Sequence, residues 1–227
     1  TSAGSNLFHS FQEFSLPLGQ SVVFSTNPNI NLIISRVVGG SPSQINGLIR
    51  ANASLFLLNP AGIIFGSQAK LNINGSFIAT TADGVRFADG TLFNARDLYS
   101  SPLLTMSTPV GLQFGDNPGA IVNRSQSLPL SDNGAPVGLQ LNSGQTLALI
   151  GGDVTMDGGN VTVPGGKIEI ASVAPNSFIF LSEVENGWQM DYNNVDDFQD
   201  VGIVKGSSVD GSGENGTINI QGKNVII

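Results

Sequence analysis

Apolar and polar residues alternate with a period of two along most of the chain, as in Leu71-Asn72-Ile73, Val161-Thr162-Val163 and Ile168-Glu169-Ile170. Gly, Asn, Asp or Pro closes nearly every run, around Phe77-Ile78-Ala79 as well. Alternation of this kind sends successive side chains to opposite faces of a pleated strand, so these segments predict short strands. No stretch of about a dozen residues keeps an apolar i, i+3, i+4, i+7 stripe free of Gly, Pro or Asn, and no long helix is expected. The chain reads as all-β.

The strands repeat. Gly151-Gly152, Gly158-Gly159 and Gly165-Gly166 recur every seven residues, with Val154, Val161 and Ile168 three residues into each unit. A strand, a tight bend and another strand fit that interval. Earlier in the chain Leu55-Phe56-Leu57-Leu58, Ile63-Ile64-Phe65, Leu71-Asn72-Ile73 and Phe77-Ile78-Ala79 start about every eight residues. Such short strands, so closely spaced, suit a solenoid whose coils cannot bury an apolar face singly and must stack. A β-sandwich is the alternative that the pattern leaves open, since it too has short strands at regular spacing. Phe8, Phe11 and Phe14, with Leu7, Leu16 and Leu18, form an apolar cluster ahead of the regular strands. A solenoid end needs a cover over its core and its unpaired edge, which this cluster could supply. The plainer reading is that these aromatics sit in a core.

Composition narrows the function classes. The 227 residues carry 9 Lys plus Arg against 17 Asp plus Glu, a net charge of −8, which argues against a nucleic-acid partner. Charged residues reach only 11% and hydrophobic ones 40%, so the chain can bury a core and is not disordered. An all-β chain of this length commonly forms one unit, and no linker interrupts residues 1–227. With Cys 0 there is no disulfide, thiolate metal site or cysteine nucleophile, although the compartment stays open. The opening Thr1-Ser2-Ala3-Gly4 lacks an initiator Met, a basic n-region and an apolar h-region, so any signal peptide is expected to have been removed already. No run approaches the roughly 18 apolar residues of a membrane-spanning helix.

Several blocks, in order, carry a family resemblance: Gly4-Ser5-Asn6-Leu7-Phe8-His9-Ser10-Phe11, Ile33-Ile34-Ser35-Arg36-Val37-Val38-Gly39-Gly40-Ser41-Pro42-Ser43-Gln44-Ile45-Asn46-Gly47, and Leu55-Phe56-Leu57-Leu58-Asn59-Pro60-Ala61-Gly62-Ile63-Ile64-Phe65-Gly66. Gly75-Ser76-Phe77-Ile78-Ala79-Thr80-Thr81-Ala82, Pro109-Val110-Gly111-Leu112-Gln113-Phe114-Gly115 and Leu147-Ala148-Leu149-Ile150-Gly151-Gly152-Asp153-Val154 follow. Their order and spacing resemble the two-partner secretion (TPS) domain, the filamentous-haemagglutinin-type N-terminal domain of a TpsA exoprotein. The resemblance implies a right-handed parallel β-helix with an N-terminal capping element and small extra-helical β elements. It implies a single domain over residues 1–227 at the N-terminus of a larger protein, secreted or surface-held, of a Gram-negative-type bacterium. A cognate outer-membrane TpsB transporter would recognise it in the periplasm through POTRA domains, and the chain would cross unfolded and fold outside. The lack of Cys is compatible with that route, and slow non-local parallel pairing would keep the chain open for threading. Folding at the far side could then bias transport outward.

The family's Asn-Pro-Asn-Gly signature stands here as Asn59-Pro60-Ala61-Gly62, followed by Ile63, and departs at Ala61. Asn can cap the turn, Pro presets φ at the second position and Gly suits the fourth, so the turn can set coil register. Direct contact with the transporter is the competing reading. Asn27-Pro28-Asn29-Ile30 precedes the first signature, where the family's companion motif should follow it, and is not carried over. Arg36 matches a family Arg, with an ion pair or a backbone-carbonyl contact as the structural alternative to recognition. Asn6, Leu7 and Phe8 complete the candidate recognition or folding residues.

Other features carry weaker chemistry. His9 is the single histidine and reads as a packed N-terminal residue, not a base. Asp191, Asp196, Asp197 and Asp200, with Glu183 and Glu185 upstream, could bind calcium or act as an acid pair, yet match no EF-hand or calcium β-roll spacing and read better as a solvated loop. Asn52-Ala53-Ser54, Asn74-Gly75-Ser76, Asn123-Arg124-Ser125 and Asn215-Gly216-Thr217 are formal sequons that fit Asn-rich turns. An adhesin or carbohydrate-binding β-helix is the alternative function, with Trp188, Tyr192 and Tyr99 as sparse material for a stacking site. A polysaccharide-degrading β-helix enzyme is a further one, but the paired-Asp, Gly-His-Gly and Arg-Ile-Lys stretches of such hydrolases are missing. The expectation is a monomer without catalytic residues, metal, cofactor or small-molecule substrate.

Overall fold

The computed structural model describes residues 1–96, 104–130 and 134–227, and its regular elements are strands, numbered β1 to β25 in chain order. The longest sheet runs through β2 (Asn6–Phe11), β4 (Leu32–Val37), β7 (Ser54–Leu58), β10 (Phe77–Thr80), β16 (Thr146–Gly151), β19 (Lys167–Ser172) and β24 (Thr217–Gln221), each parallel to its neighbour. A 6-stranded parallel sheet of β5 (Ser43–Ile45), β8 (Ile63–Phe65), β14 (Ile121–Asn123), β17 (Val154–Asp157), β22 (Val201–Val204) and β25 (Val225–Ile226) forms a second face. The third face is split into β3 (Ser21–Phe24), β6 (Leu48–Ala51), β9 (Lys70–Ile73) and β15 (Leu139–Gln140), β18 (Asn160–Thr162), β23 (Ser208–Asp210).

The chain visits the three faces in turn and returns one layer higher. Ser76 lies directly above Ser54, 22 residues back, and its backbone N–H donates to the Ser54 hydroxyl at 3.1 Å. Parallel crossovers of this kind are right-handed. The molecule is therefore the expected right-handed parallel β-helix and not a sandwich. The Gly-Gly pairs prove to be the three corners of one coil: 151–152 joins β16 to β17, 158–159 joins β17 to β18 and 165–166 joins β18 to β19. Close stacking demands glycine there, since a Cβ on Gly159 would stand 2.4 Å from the Asn123 carbonyl oxygen of the coil below.

Two coils are interrupted by excursions. One, between β10 and β14, makes β11 (Gly84–Phe87), β12 (Leu92–Asn94) and β13 (Pro109–Gln113); the other, between β19 and β22, makes the hairpin β20 (Phe178–Val184) and β21 (Gly187–Asp191). Together they form one antiparallel 5-stranded sheet, joined where Leu112 of β13 faces Ile179 of β20. These are the expected extra-helical elements.

Alternation then builds two cores. Ile33, Leu55, Phe77, Leu147 and Ile168 stack in register into the solenoid interior, all fully buried. Their neighbours Ile34, Phe56, Ile78 and Ala148 point outward, where the extra-helical sheet covers them with Val85, Phe93, Leu112, Ile179 and Trp188. The outward row ends in Glu169 and Asn219, where that cover gives way to polar groups.

The N-terminal end is closed by β1 (Ser2–Ala3), antiparallel to β2, and by a cluster of rings: Phe11 lies 5.3 Å from Phe14 and 6.2 Å from Phe24. Two members of the expected cap belong elsewhere. Leu18 is 66% exposed, and Phe8 faces the outer core against Phe87 and Phe93, because consecutive residues of β2 point to opposite faces. The last coil is barer, with Ile218, Val225 and Ile226 exposed.

Candidate functional site

The signature turn occupies the corner between the long sheet and the second face. Gly62 donates its N–H to the Asn59 carbonyl at 3.0 Å, and Ala61 donates to the Asn59 side-chain oxygen at the same distance, so a β-turn and an Asx turn coincide. The Asn59 amide group donates downward to the Ser41 carbonyl (3.0 Å) and the Ser43 hydroxyl (2.9 Å), while its backbone N–H donates upward to Thr80 O. Asn59 is buried and joins three successive coils. Gly62 has φ +126°, which Gly adopts freely, and an added Cβ would press against Ala120 O at 3.0 Å. Ile63 stands in register with Ile121, which places Asn59-Pro60-Ala61-Gly62 directly under Asn117-Pro118-Gly119-Ala120. Gly119 donates to the Pro60 carbonyl at 2.9 Å. This stacked second Asn-Pro turn was missed by sequence reasoning; the repeated Asn-Pro two residues before a Gly or Ala and an Ile was the available signal.

Beside the corner lies a cleft of about 540 Å³ lined by Val38, Gly40, Asn59, Ala61, Arg96 and Asn117, among others. Arg96 is tied to Asp83 (2.5 Å) and to the Asn117 carbonyl (2.8 Å). The side chains exposed to this cleft are therefore a polar rim with few groups left to act chemically.

Arg36 is buried on the outward side of β4. Its guanidinium donates to the Ser10 hydroxyl at 2.7 Å and to the Asn94 carbonyl, and lies 4.5 Å over the Phe93 ring. The backbone-carbonyl contact expected for it is present. Asn6 is buried and donates from its amide to Thr105 O (3.1 Å) and Ser107 O (2.9 Å). Thr105 in turn donates its hydroxyl to Asp89, whose carboxyl is thereby held down to about 2. Leu7 packs inward and Phe8 outward. Thus Arg36, Asn6 and Phe8 all tie the first coils to the extra-helical layer, whereas Asn59 and Gly62 tie coil to coil; the structure brings the candidates to two places.

The remaining candidates are dispersed. His9 stacks on Phe11 (5.8 Å) and lies tilted against Phe24 (5.5 Å), and burial, then the nearby N-terminal ammonium, lowers its pKa. Asp191 accepts the Asn193 N–H, Asp197 that of Phe198, and Asp200 the Asn224 amide, so the acidic stretch spreads along a loop; among the described residues no cluster of three or more acidic or His groups could hold an ion. Trp188 offers no stacking platform: it is 3% exposed and packs edge-on against Phe56 at 5.0 Å. Tyr192 donates its hydroxyl to Glu169 Oε2 at 3.2 Å, and Tyr99 lies outside the described residues. Burial raises the Glu169 pKa, and burial together with the Glu169 charge raises that of Tyr192. Asn123 of the third sequon is fully buried and holds the Asn160 carbonyl.

A three-faced parallel solenoid with an antiparallel cover and a signature turn at its corner defines a β-helix scaffold of the secretion-domain class. The family described as "TPS secretion domain" matches residues 1–226, and the chain belongs to that family, a secretion domain and not an enzyme family. Two curated relatives are heme/hemopexin-binding proteins of Haemophilus influenzae. One, from strain Rd, is 34% identical over 79 residues, which is 35% of this chain and 9% of that protein. The other is 32% identical over 81 residues, 36% of this chain and again 9% of the relative, so the matched stretch is about a tenth of either relative's length. Among solved structures, the HMW1 secretion domain from Haemophilus influenzae has the same fold, at TM-score 0.57 and 20% identity over 97% of this chain and 54% of that one.

Proposed function

We propose that this domain, acting as one unit over residues 1–227, targets a larger exoprotein for secretion. In this reading the POTRA domains of an outer-membrane TpsB transporter recognise it in the periplasm and it nucleates folding at the cell surface. The observation that carries this reading is the TPS family match over residues 1–226. Recognition of the unfolded chain could use β-augmentation, for which sparsely charged alternating strands are suitable ligands. Asn59, Pro60, Ala61, Gly62 and Ile63 then act chiefly through the fold: the Asn59 amide is consumed by coil-to-coil bonds, and a substitution there loosens the nucleus before it removes a contact.

The test is export of the domain, with a signal peptide, from cells with and without a candidate transporter. Transporter-dependent appearance in the medium is expected, reduced by Asn59→Ala and Gly62→Ala and retained by Ala61→Asn, which restores the family's residue. Equal release without the transporter, or retention in the periplasm with it, would sink the proposal.

A further inference from the structure

The outer core is assembled from pieces that are remote in sequence. Its floor consists of outward residues from β2, β4, β7, β10, β16 and β19, and its roof comes partly from the first excursion and partly from the β20–β21 hairpin. The inner core does not depend on the hairpin, since each coil up to β19 pairs with the coil before it, 22 residues back where no excursion intervenes and 70 residues back from Thr146 to Ser76 across the first excursion. A chain folding up through β19 can therefore stack five coils and the first strand of a sixth around a filled interior while the outward face over Phe56, Ala148 and Ile150 still lacks half its roof.

Three features mark the hairpin as the piece that completes it. First, β20 is the partner of β13, and Phe114 donates to Ser177 O and Asn176 to Gly115 O just beyond, so the first excursion gains its second edge only there. Gly111 lets the Phe178 ring lie close over β13, because a Cβ there would meet the ring at 2.1 Å. Second, Trp188 seats on Phe56, 132 residues earlier in the chain, and fills the space between roof and floor. Third, the hairpin end is fastened to a coil corner: the Thr146 hydroxyl donates to Trp188 O and accepts the Trp188 N–H, both at 3.0 Å. Gly187 permits that fastening, with φ +129° and an ideal Cβ position only 2.4 Å from Thr146 Oγ1.

We propose that the β20–β21 hairpin is a late-seating clasp: parallel coils form first and expose an apolar outer face, and docking of Trp188 on Phe56 closes that face in a separate final step. Non-local contacts must await the ordering of the intervening chain, and regions with distinct contact sets open and close as distinct units. The clasp makes completion of the domain depend on residues up to Asp191, whichever way the chain reaches its site of folding. It stands independently of transporter recognition.

Trp188 is the single tryptophan, so its fluorescence reports clasp seating alone. Refolding of the full chain from urea should show far-UV sheet signal first and the Trp188 change at least several-fold later, with an apolar dye bound between the two. In the native protein, amide exchange in β20–β21 should be at least ten-fold faster than in β7 and β10. Gly187→Ala should speed exchange in the hairpin about ten-fold more while leaving β7 and β10 unchanged. Thr146→Val, which removes the fastening hydroxyl without adding bulk at Gly187, should act in the same direction. Coincident sheet and Trp188 kinetics, or equal exchange in hairpin and coils in the wild type, would overturn the clasp even if neither variant folds.

Discussion

Phe65 and Phe56 are both fully buried, yet they sit in different cores and depend on the chain differently. Phe65 on β8 lies inside the solenoid, T-shaped against Phe77 at 6.2 Å, among residues contributed by adjacent coils. Phe56 lies outside it, under Trp188 from a hairpin far along the chain. Equal burial thus hides unequal topology. The inner core is repetitive and each layer templates the next, while the outer core is a single closure over six strands of the long sheet.

The sharpest way to break that contrast is a matched pair. Phe65→Ala and Phe56→Ala should each cost about 3–5 kcal/mol in urea unfolding. Phe65→Ala should lower the whole transition, monitored by far-UV circular dichroism and Trp188 fluorescence alike. Phe56→Ala should shift the Trp188 transition below that of the sheet; coincident transitions would mean that the two cores are one cooperative unit.

Next in size come the corner residues. Asn59→Ala strips the bonds to Ser41, Ser43 and Ala61 and leaves buried partners unsatisfied, at a cost of about 1–3 kcal/mol. Gly62→Ala should cost a similar amount, about 1–3 kcal/mol, through its positive φ. Both losses belong to the coil stack, so they should lower the sheet transition itself; movement of Trp188 fluorescence alone would contradict this placement.

Smaller effects come from titration and separate the edges of the outer layer. Thr105 holds the Asp89 carboxyl down to about 2, so this group contributes stability above the ordinary carboxylate range that is lost as pH falls from about 4 to about 2. Asp89→Asn should flatten that part of the pH–stability curve. Glu169 has the opposite sign: burial raises its pKa, so its favourable neutral form is present at low pH and its contribution is lost as pH rises through the folded value. Glu169→Gln should therefore gain stability near neutral pH and none in acid. A gain that persists at pH 3 would show that the charge is not what the site opposes.

Alternation and turn residues made the strands and corners legible, because strand faces and tight corners are local properties, whereas the choice of solenoid over sandwich rested on the order of the family blocks. The signature at Asn59 was legible too, while its stacked counterpart at Asn117 passed unnoticed because register between coils separated by an excursion does not follow the 22-residue spacing. Trp188 was placed by long-range pairing as well. Near the acidic stretch it stood only as sparse material for a stacking site, and pairing of β20 with β13 turns it inward.

By itself the local pattern determined the all-β class, the short strands and their corners, since period-2 patterning, Gly-Gly spacing and Asn-Pro turns act over a few residues, while the coil stack came with the family resemblance. Only the tertiary structure decided which outward side chains are covered and what fastens the cover. The run Leu55-Phe56-Leu57-Leu58 shows why: a strand apolar on both faces announces that something must lie over it, but the cover comes from residues more than a hundred positions away, and only folding selects it.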